Sequence, residues 1–296
     1  MKNILIAIII LSATASVTNA QSKVNQTRDV TGFNSVELKM AGTVYITQDN
    51  HFSVQVSASQ DLLDHISTEV DDDNLKIWID SKDWSKNFWK DKGDVIINIT
   101  MPKINGLHVN GSGIIKVQNN ILTDELSLDI HGSGEINLGE LKAGKCEIGV
   151  YGSGSIDIDK AVAENIEQEL EGSGDISAGS LLGTMISISL AGSGNIKFEN
   201  VSSQKLQVNS EGSGDIKITK GVVNDLSLAT DGSGSISASE LVGKNVSAAV
   251  AGSGSISVGV LDSLDASIAG SGSVVYKGSP QNISRNISGS GSVRQM

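Results

Sequence analysis

The sequence predicts an all-β chain wound as a single-stranded parallel β-helix with coils of about 20 residues and a less regular N-terminal part. Three observations carry this. Gly-Ser-Gly occurs ten times between Gly111 and Gly291, and the seven starts from Gly132 to Gly252 are each 20 residues apart. Apolar residues alternate with polar ones between the glycines, the period of a strand with one buried face. Finally, no six-residue sub-period divides the coil, and blades of about 40 residues with four strands, as in a propeller, fit a 20-residue unit poorly.

With the first glycine of each Gly-Ser-Gly as position 1, position 5 is Ile136, Ile156, Ile176, Ile196, Ile216, Ile236 and Ile256, then Val274 and Val293. Position 7 is Leu138, Ile158, Ala178, Phe198, Ile218, Ala238 and Val258, and position 15 runs from Cys146 through Ile166 and Ile186 to Val246. Carried through the corner, the alternation aims both glycines inward and the serine outward. Two causes fit: an interior too narrow for a Cβ, or a backbone that needs φ > 0. Positions 8 to 14 read as the second turn of the coil, polar except for a plug at position 10 (Leu141, Leu181, Val201, Leu241). Equivalent strands one coil apart stack at about 4.8 Å, so ten copies make a rod of roughly 45 to 50 Å. Gln168, at inward position 17, calls for a partner, a water or a local register shift. Cys146 reads as a small buried hydrophobe.

Residues 21–105 precede the regular coils of residues 106–296. Val36-Leu38-Met40, Leu75-Ile77-Ile79 and Val95-Ile97-Ile99 read as strands, and Ala41-Gly42-Thr43-Val44-Tyr45-Ile46 reads as a degenerate corner. Ser59 to Ile66 reads as one short helix with Ser59 as its N-cap. This part is expected to close the core, because an open solenoid end exposes a slice of core and unpaired strands. Residues 81–94 (SKDWSKNFWKDKGD) are unlike the rest of the chain: Trp84, Phe88 and Trp89 alternate with lysines, Lys86 and Lys90 among them. Large aromatics beside polar groups are common interface anchors and sugar platforms. The segment reads as a cap over the rod end, as a disordered stretch, or as a binding loop, whose ligand-binding residues are then Trp84, Lys86, Phe88, Trp89 and Lys90.

Lys2 followed by Ile4 to Leu11 and then by small residues predicts a secretory signal peptide over residues 1–20, cut after Ala20. No later stretch holds 18 apolar residues, so no integral membrane segment is expected in the mature chain. Loss of Lys2 takes the formal charge from −12 to 21 − 34 = −13. That balance argues against nucleic acid as a partner. A single cysteine excludes an internal disulfide.

The leader, "FNSVELKMAGTVYITQ", "DLLDHI", the lead-in "VIINITMPKINGLHVNGSG" and the serial GSG-x-I coils together resemble the head GIN domain family, over about residues 30 to 296. Its members are described as autotransporter adhesins, common among exported proteins of Bacteroidetes. The resemblance implies a right-handed parallel β-helix and carries over no catalytic residue. The chain shows no C-terminal barrel-forming or surface-sorting segment, which leaves periplasm, outer-membrane surface and extracellular space all open.

The reading is therefore an exported, non-enzymatic, adhesin-like binding protein with a glycan or cell-surface partner; the alternatives are a polysaccharide-active β-helix enzyme and a purely structural envelope rod. Corner starts in perfect step leave no insertion to wall a cleft, and the mature chain has only Arg28, Arg285 and Arg294 as arginines. Glu171 and Glu211 lie two coils apart, about 9.6 Å, within the spacing of an inverting carboxylate pair but too far for a retaining one. His51, His65, His108 and His131 share no metal spacing, and no cofactor or metal is expected. The unfinished last coil, Gly289 to Val293, predicts a homo-oligomer formed through that solenoid end.

Overall fold

A computed structural model of the chain describes residues 23–80 and 93–296; the leader expected at residues 1–20 lies outside them. The described chain is a β-solenoid of about 10 turns. Five short strands and one helical turn open it: β1 (Val24–Arg28), β2 (Ser35–Leu38), β3 (Thr43–Gln48), β4 (Ser53–Ala58), α1 (Gln60–Leu63) and β5 (Ile66–Asp71). There follow β6 (Asn74–Ile79), β7 (Ile96–Met101), β8 (Gly106–Gly111), β9 (Ile114–Val117), β10 (Ile121–Leu122) and β11 (Glu125–Gly132). The regular coils are β12 (Glu135–Gly152), β13 (Ser155–Gly172), β14 (Asp175–Gly192), β15 (Asn195–Gly212), β16 (Asp215–Gly232), β17 (Ser235–Gly252) and β18 (Ser255–Gly270). β19 (Ser273–Lys277), β20 (Asn282–Gly289) and β21 (Ser292–Gln295) end it.

From β12 to β16 each coil pairs in parallel with the next at an offset of 20, Ile156 on Ile176 and Ile176 on Ile196. Positions 5, 7, 10, 15, 17 and 19 point inward, so Ile186, Ile188 and Leu190 are each fully buried. Each such side chain contributes about 1.5–3 kcal/mol on burial, and it packs on its own equivalent above and below. The second turn expected over positions 8 to 14 is instead two separate bends. The ladder skips Asp159 and Glu164 in one coil, and Gly179 and Thr184 in the next. Each coil is therefore three-sided, with corners at the Gly-Ser-Gly, at position 8 and at position 13.

The two glycines of the corner are there for different reasons. Position 1 is not turned inward as the alternation suggested. It takes a positive φ, +112° at Gly212, and an added Cβ would sit 2.5 Å from the carbonyl oxygen of Gly192 in the coil below. Position 3 does face the interior: a Cβ on Gly154 would lie 2.6 Å from Ile130 Cγ2 and 2.7 Å from the Gly134 oxygen. The serine between them is exposed, and its amide continues the ladder, Ser193 N donating to Gly172 O at 2.9 Å.

The N-terminal coils are stacked out of chain order. β2 lies between β6 and β8, and β3 between β7 and β9, all in parallel. The coil made by β6 and β7 is thus the outermost. Its free edges are taken by antiparallel strands, β5 on β6 and β4 on β7, with β1 then pairing to β4. Changing from parallel to antiparallel neighbours finishes the sheet without another coil. The degenerate corner lies where it was expected: Leu38 pairs with Val109 and Thr43 with Ile114, so Met40-Ala41-Gly42 stacks on Gly111-Ser112-Gly113. The expected helix is shorter than Ser59 to Ile66, because Ile66 already belongs to β5. Ser59 holds the N-cap position in extended conformation, yet its hydroxyl makes no capping bond. The Arg28 guanidinium fastens this end to the carbonyls of Leu63 and Ile66 at 3.1 and 2.9 Å.

Gly212→Ala is expected to lower stability by about 2–4 kcal/mol, since it combines a disfavoured φ with a backbone collision. Gly139 has nothing within 3.7 Å of an added Cβ, so Gly139→Ala should stay within about 0.5 kcal/mol. Urea unfolding midpoints of the two variants check the contrast.

Candidate functional site

Pairing registers locate the aromatic segment relative to the rod. Across the corner, four residues lead from Leu38 to Thr43. In the coil stacked outside it, the equivalent step runs from Ile77 to Ile96 and is filled by Trp78 to Val95. The insertion therefore leaves and rejoins the rod on the Gly-Ser-Gly corner line, in the outermost coil. Val95 is buried, and its carbonyl accepts the Thr43 amide at 2.9 Å. Trp78 sits half-buried at the exit, its Nε1 donating to Asp80 Oδ1 at 3.1 Å. Trp84, Lys86, Phe88, Trp89 and Lys90, the residues singled out as ligand-binding, lie outside the described residues.

The carboxylates weighed for catalysis are spread along the rod. Glu171 and Glu211 are exposed on separate coils, while Asp175 and Asp215 are tied to the next coil by Asn195 Nδ2 at 3.0 Å and Ser235 Oγ at 2.5 Å. These bonds reinforce stacking. Among the described residues, no three His, Cys, Asp or Glu side chains converge as metal ligands. Cys146 is fully buried in the position-15 column, and burial pushes its thiol up to about 12. Gln168 keeps the register, pairing with Ile148 and Ile188, which removes the register shift as an account of it. Its amide is buried with no protein partner.

One lateral cluster escaped the sequence reading. His131 is exposed, and its ring stacks on Tyr151 at 4.7 Å and 12°. Tyr151 lies over Gly149, where a Cβ would come within 2.7 Å of the ring, and its hydroxyl donates to Glu169 at 2.9 Å. Desolvation, helped by that bond, pushes the phenol up to about 12. Beside it, Asp129 sits 3.0 Å from His108 Nδ1 and accepts from Ser127 at 2.6 Å. Burial opposes its charge, but those bonds outweigh burial and hold the carboxyl below its usual range. The signal was present as His131 and Tyr151 at equivalent positions, visible only once the coils are aligned.

A second feature was also missed. Alternation turns position 11 outward, where polar residues belong, yet Val222 is 63% and Val242 37% exposed there.

A family model described as "Putative auto-transporter adhesin, head GIN domain" matches residues 32–198 and 181–280. Among solved structures, a putative adhesin from Parabacteroides distasonis is 21% identical, with 94% of this chain and 98% of that one covered and a TM-score of 0.55. A putative lipid binding protein from the same species is 24% identical at the same coverage, with a TM-score of 0.50. At these identities the likeness is one of fold. No curated protein matches.

The buried thiol gives a direct check on the inward columns. A maleimide probe at neutral pH is expected to leave Cys146 unlabelled in the folded protein and to label it fully in denaturant, because the thiolate is the reacting form. Mass spectrometry reads both states.

Proposed function

We propose, from the chain's membership of the head GIN domain family, that it is an exported adhesin-like binding protein whose contact residues lie in the segment 81–94 at the rod tip. Placement of that segment supports the reading most. It is inserted in the outermost coil, on the corner line, where every coil from β8 onward has only Gly-Ser-Gly. A rigid stack sets this tip apart from the far end of the rod. Trp84, Phe88 and Trp89 supply flat apolar faces, and Lys86 and Lys90 supply cationic donors, a combination suited to a surface glycan bearing hydroxyl and carboxylate groups.

The leader expected at residues 1–20 places the protein outside the cytoplasm, in periplasm, outer-membrane surface or medium. No helix among the described residues is long and apolar enough to cross a membrane. The reading assigns no reaction, cofactor or metal. The carboxylates flanking the corners stabilise the coil stack and keep the rod hydrated.

A glycan array tests the proposal. The intact protein is expected to bind a subset of anionic or neutral glycans, and the Trp84→Ala/Trp89→Ala variant to lose at least about tenfold in affinity, the loss of two stacked anchors. Equal binding by both proteins would refute the role of the tip. Glycan shortening that disappears in Glu171→Ala would replace it with the enzyme reading.

A further inference from the structure

The rod has one side whose outward column is mostly apolar. Position 11 runs through Leu122, Lys142, Val162, Leu182, Ser202, Val222 and Val242, paired coil on coil. Beyond Val242 the register shifts and its partner is the buried Gly259, so the stripe ends there. Leu122 is 65% exposed. Six coil steps of about 4.8 Å make the stripe roughly 29 Å long. Isolated surface aliphatics need no explanation, but five aligned in one column of seven, interrupted only by Lys142 and Ser202, are characteristic of an interaction site.

Charge identifies what can lie against it. On the long side, the outward positions 16, 18 and 20 from Ser127 to Ser288 hold carboxylates such as Glu147, Glu167, Glu169 and Glu211, and no lysine or arginine. Around the stripe, positions 9, 11 and 13 from Glu140 to Lys244 carry four lysines (142, 160, 220, 244) against three glutamates (140, 164, 240), or 4 − 3 = +1. Two rods of net charge near −12 repel on most approaches, whereas on this side the local charge is close to neutral and apolar surface is available.

We propose that this face is an interface between two copies of the chain packed side by side and antiparallel, about a two-fold axis at Ser202. That arrangement sets Leu182 of one copy against Val222 of the other and Val162 against Val242, with the small Ser202 side chains meeting at the axis. It also brings Lys160 opposite Glu240. Both already make surface pairs within the chain, Lys160 with Glu140 at 3.6 Å and Glu240 with Lys277 at 2.6 Å, so the crossing pair sets register and the stripe supplies the attraction. Five residues of width at about 3.3 Å each give roughly 950 Å² buried in total, below the range of stable specific complexes. The dimer is therefore weak and concentration-dependent, and screening strengthens it, because salt weakens the repulsion between the rods and leaves the apolar contact intact.

Sedimentation equilibrium across a concentration series tests this. The expected result is a reversible monomer–dimer transition whose dissociation constant falls with added salt. In Leu182→Asp/Val222→Asp it should rise at least about tenfold, from charges buried without partners. Both positions face outward, so the unfolding temperature should not change. In Ser202→Cys, oxidation should couple two copies, whereas Ser213→Cys on the corner should stay uncoupled. A strict monomer at every concentration would overturn the proposal. So would a dimer that ignores the stripe variant and dissociates in Ile283→Asp/Ile287→Asp, which would place the contact at the rod end. Flotation of the monomer with phosphatidylethanolamine–phosphatidylglycerol vesicles, abolished by Leu182→Asp/Val222→Asp, would instead assign the stripe to lipid.

Discussion

A coil can repeat in register only where its backbone leaves room for an identical backbone about 4.8 Å away, and the Gly-Ser-Gly corner is where that room is smallest. Two bends in the chain meet there. One requires a positive φ at position 1, and the other presses position 3 against an aliphatic side chain one coil below. A Cβ at either place would collide with main-chain atoms of the previous coil, which no side-chain rotation relieves. The constraint recurs at each coil, which is why the sequence restores the same tripeptide while the positions around it drift. The serine amide and that of the residue after the second glycine still donate to the coil below, so the sharpest bend in the coil keeps part of its ladder.

The same regularity distributes function. Coils that must superpose cannot carry large insertions without opening the stack, so distinctive chemistry is pushed to the ends or to outward columns. At one end the outermost coil has its far side covered by antiparallel strands. An insertion on its corner line disturbs no neighbour beyond it, and the chain departs from the rod there after Ile77 and rejoins it at Ile96. Outward columns are the other outlet, free to drift between charge, small polar residues and exposed aliphatics. The acidic long side and the mostly apolar stripe are two outcomes of that freedom.

Much of the architecture was legible before any coordinates. Period-2 alternation marked the inward columns, position 10 marked a plug, and Ala41-Gly42 was recognisable as a weakened corner because Val44 and Ile46 keep its phase. Cys146 could be placed by the company it keeps. Less legible was which coil stacks on which. Parallel coils share one alternation, so nothing local tells β6 to lie outside β2 and leaves β8 to follow on the other side. The bends at positions 8 and 13 were missed because no single residue type is required there: Gly139, Asp159 and Gly179 serve equally. Val222 and Leu182 gave a signal, but in one coil an outward aliphatic is unremarkable, and the stripe emerges only when registers are aligned. The aromatic segment was conspicuous by composition. Its place on the corner line of the outermost coil came from pairing alone.

The central proposal is that ligand recognition resides at the tip and that the coils carry it as a rigid stem. Hydrogen exchange measured peptide by peptide, with and without a surface polysaccharide that the protein binds, tests this most directly. The account predicts new protection confined to peptides spanning Trp78 to Val95, with the coils unchanged. Protection appearing instead across the lateral surface from Glu147 to Ser189, with the tip unaffected, would contradict it.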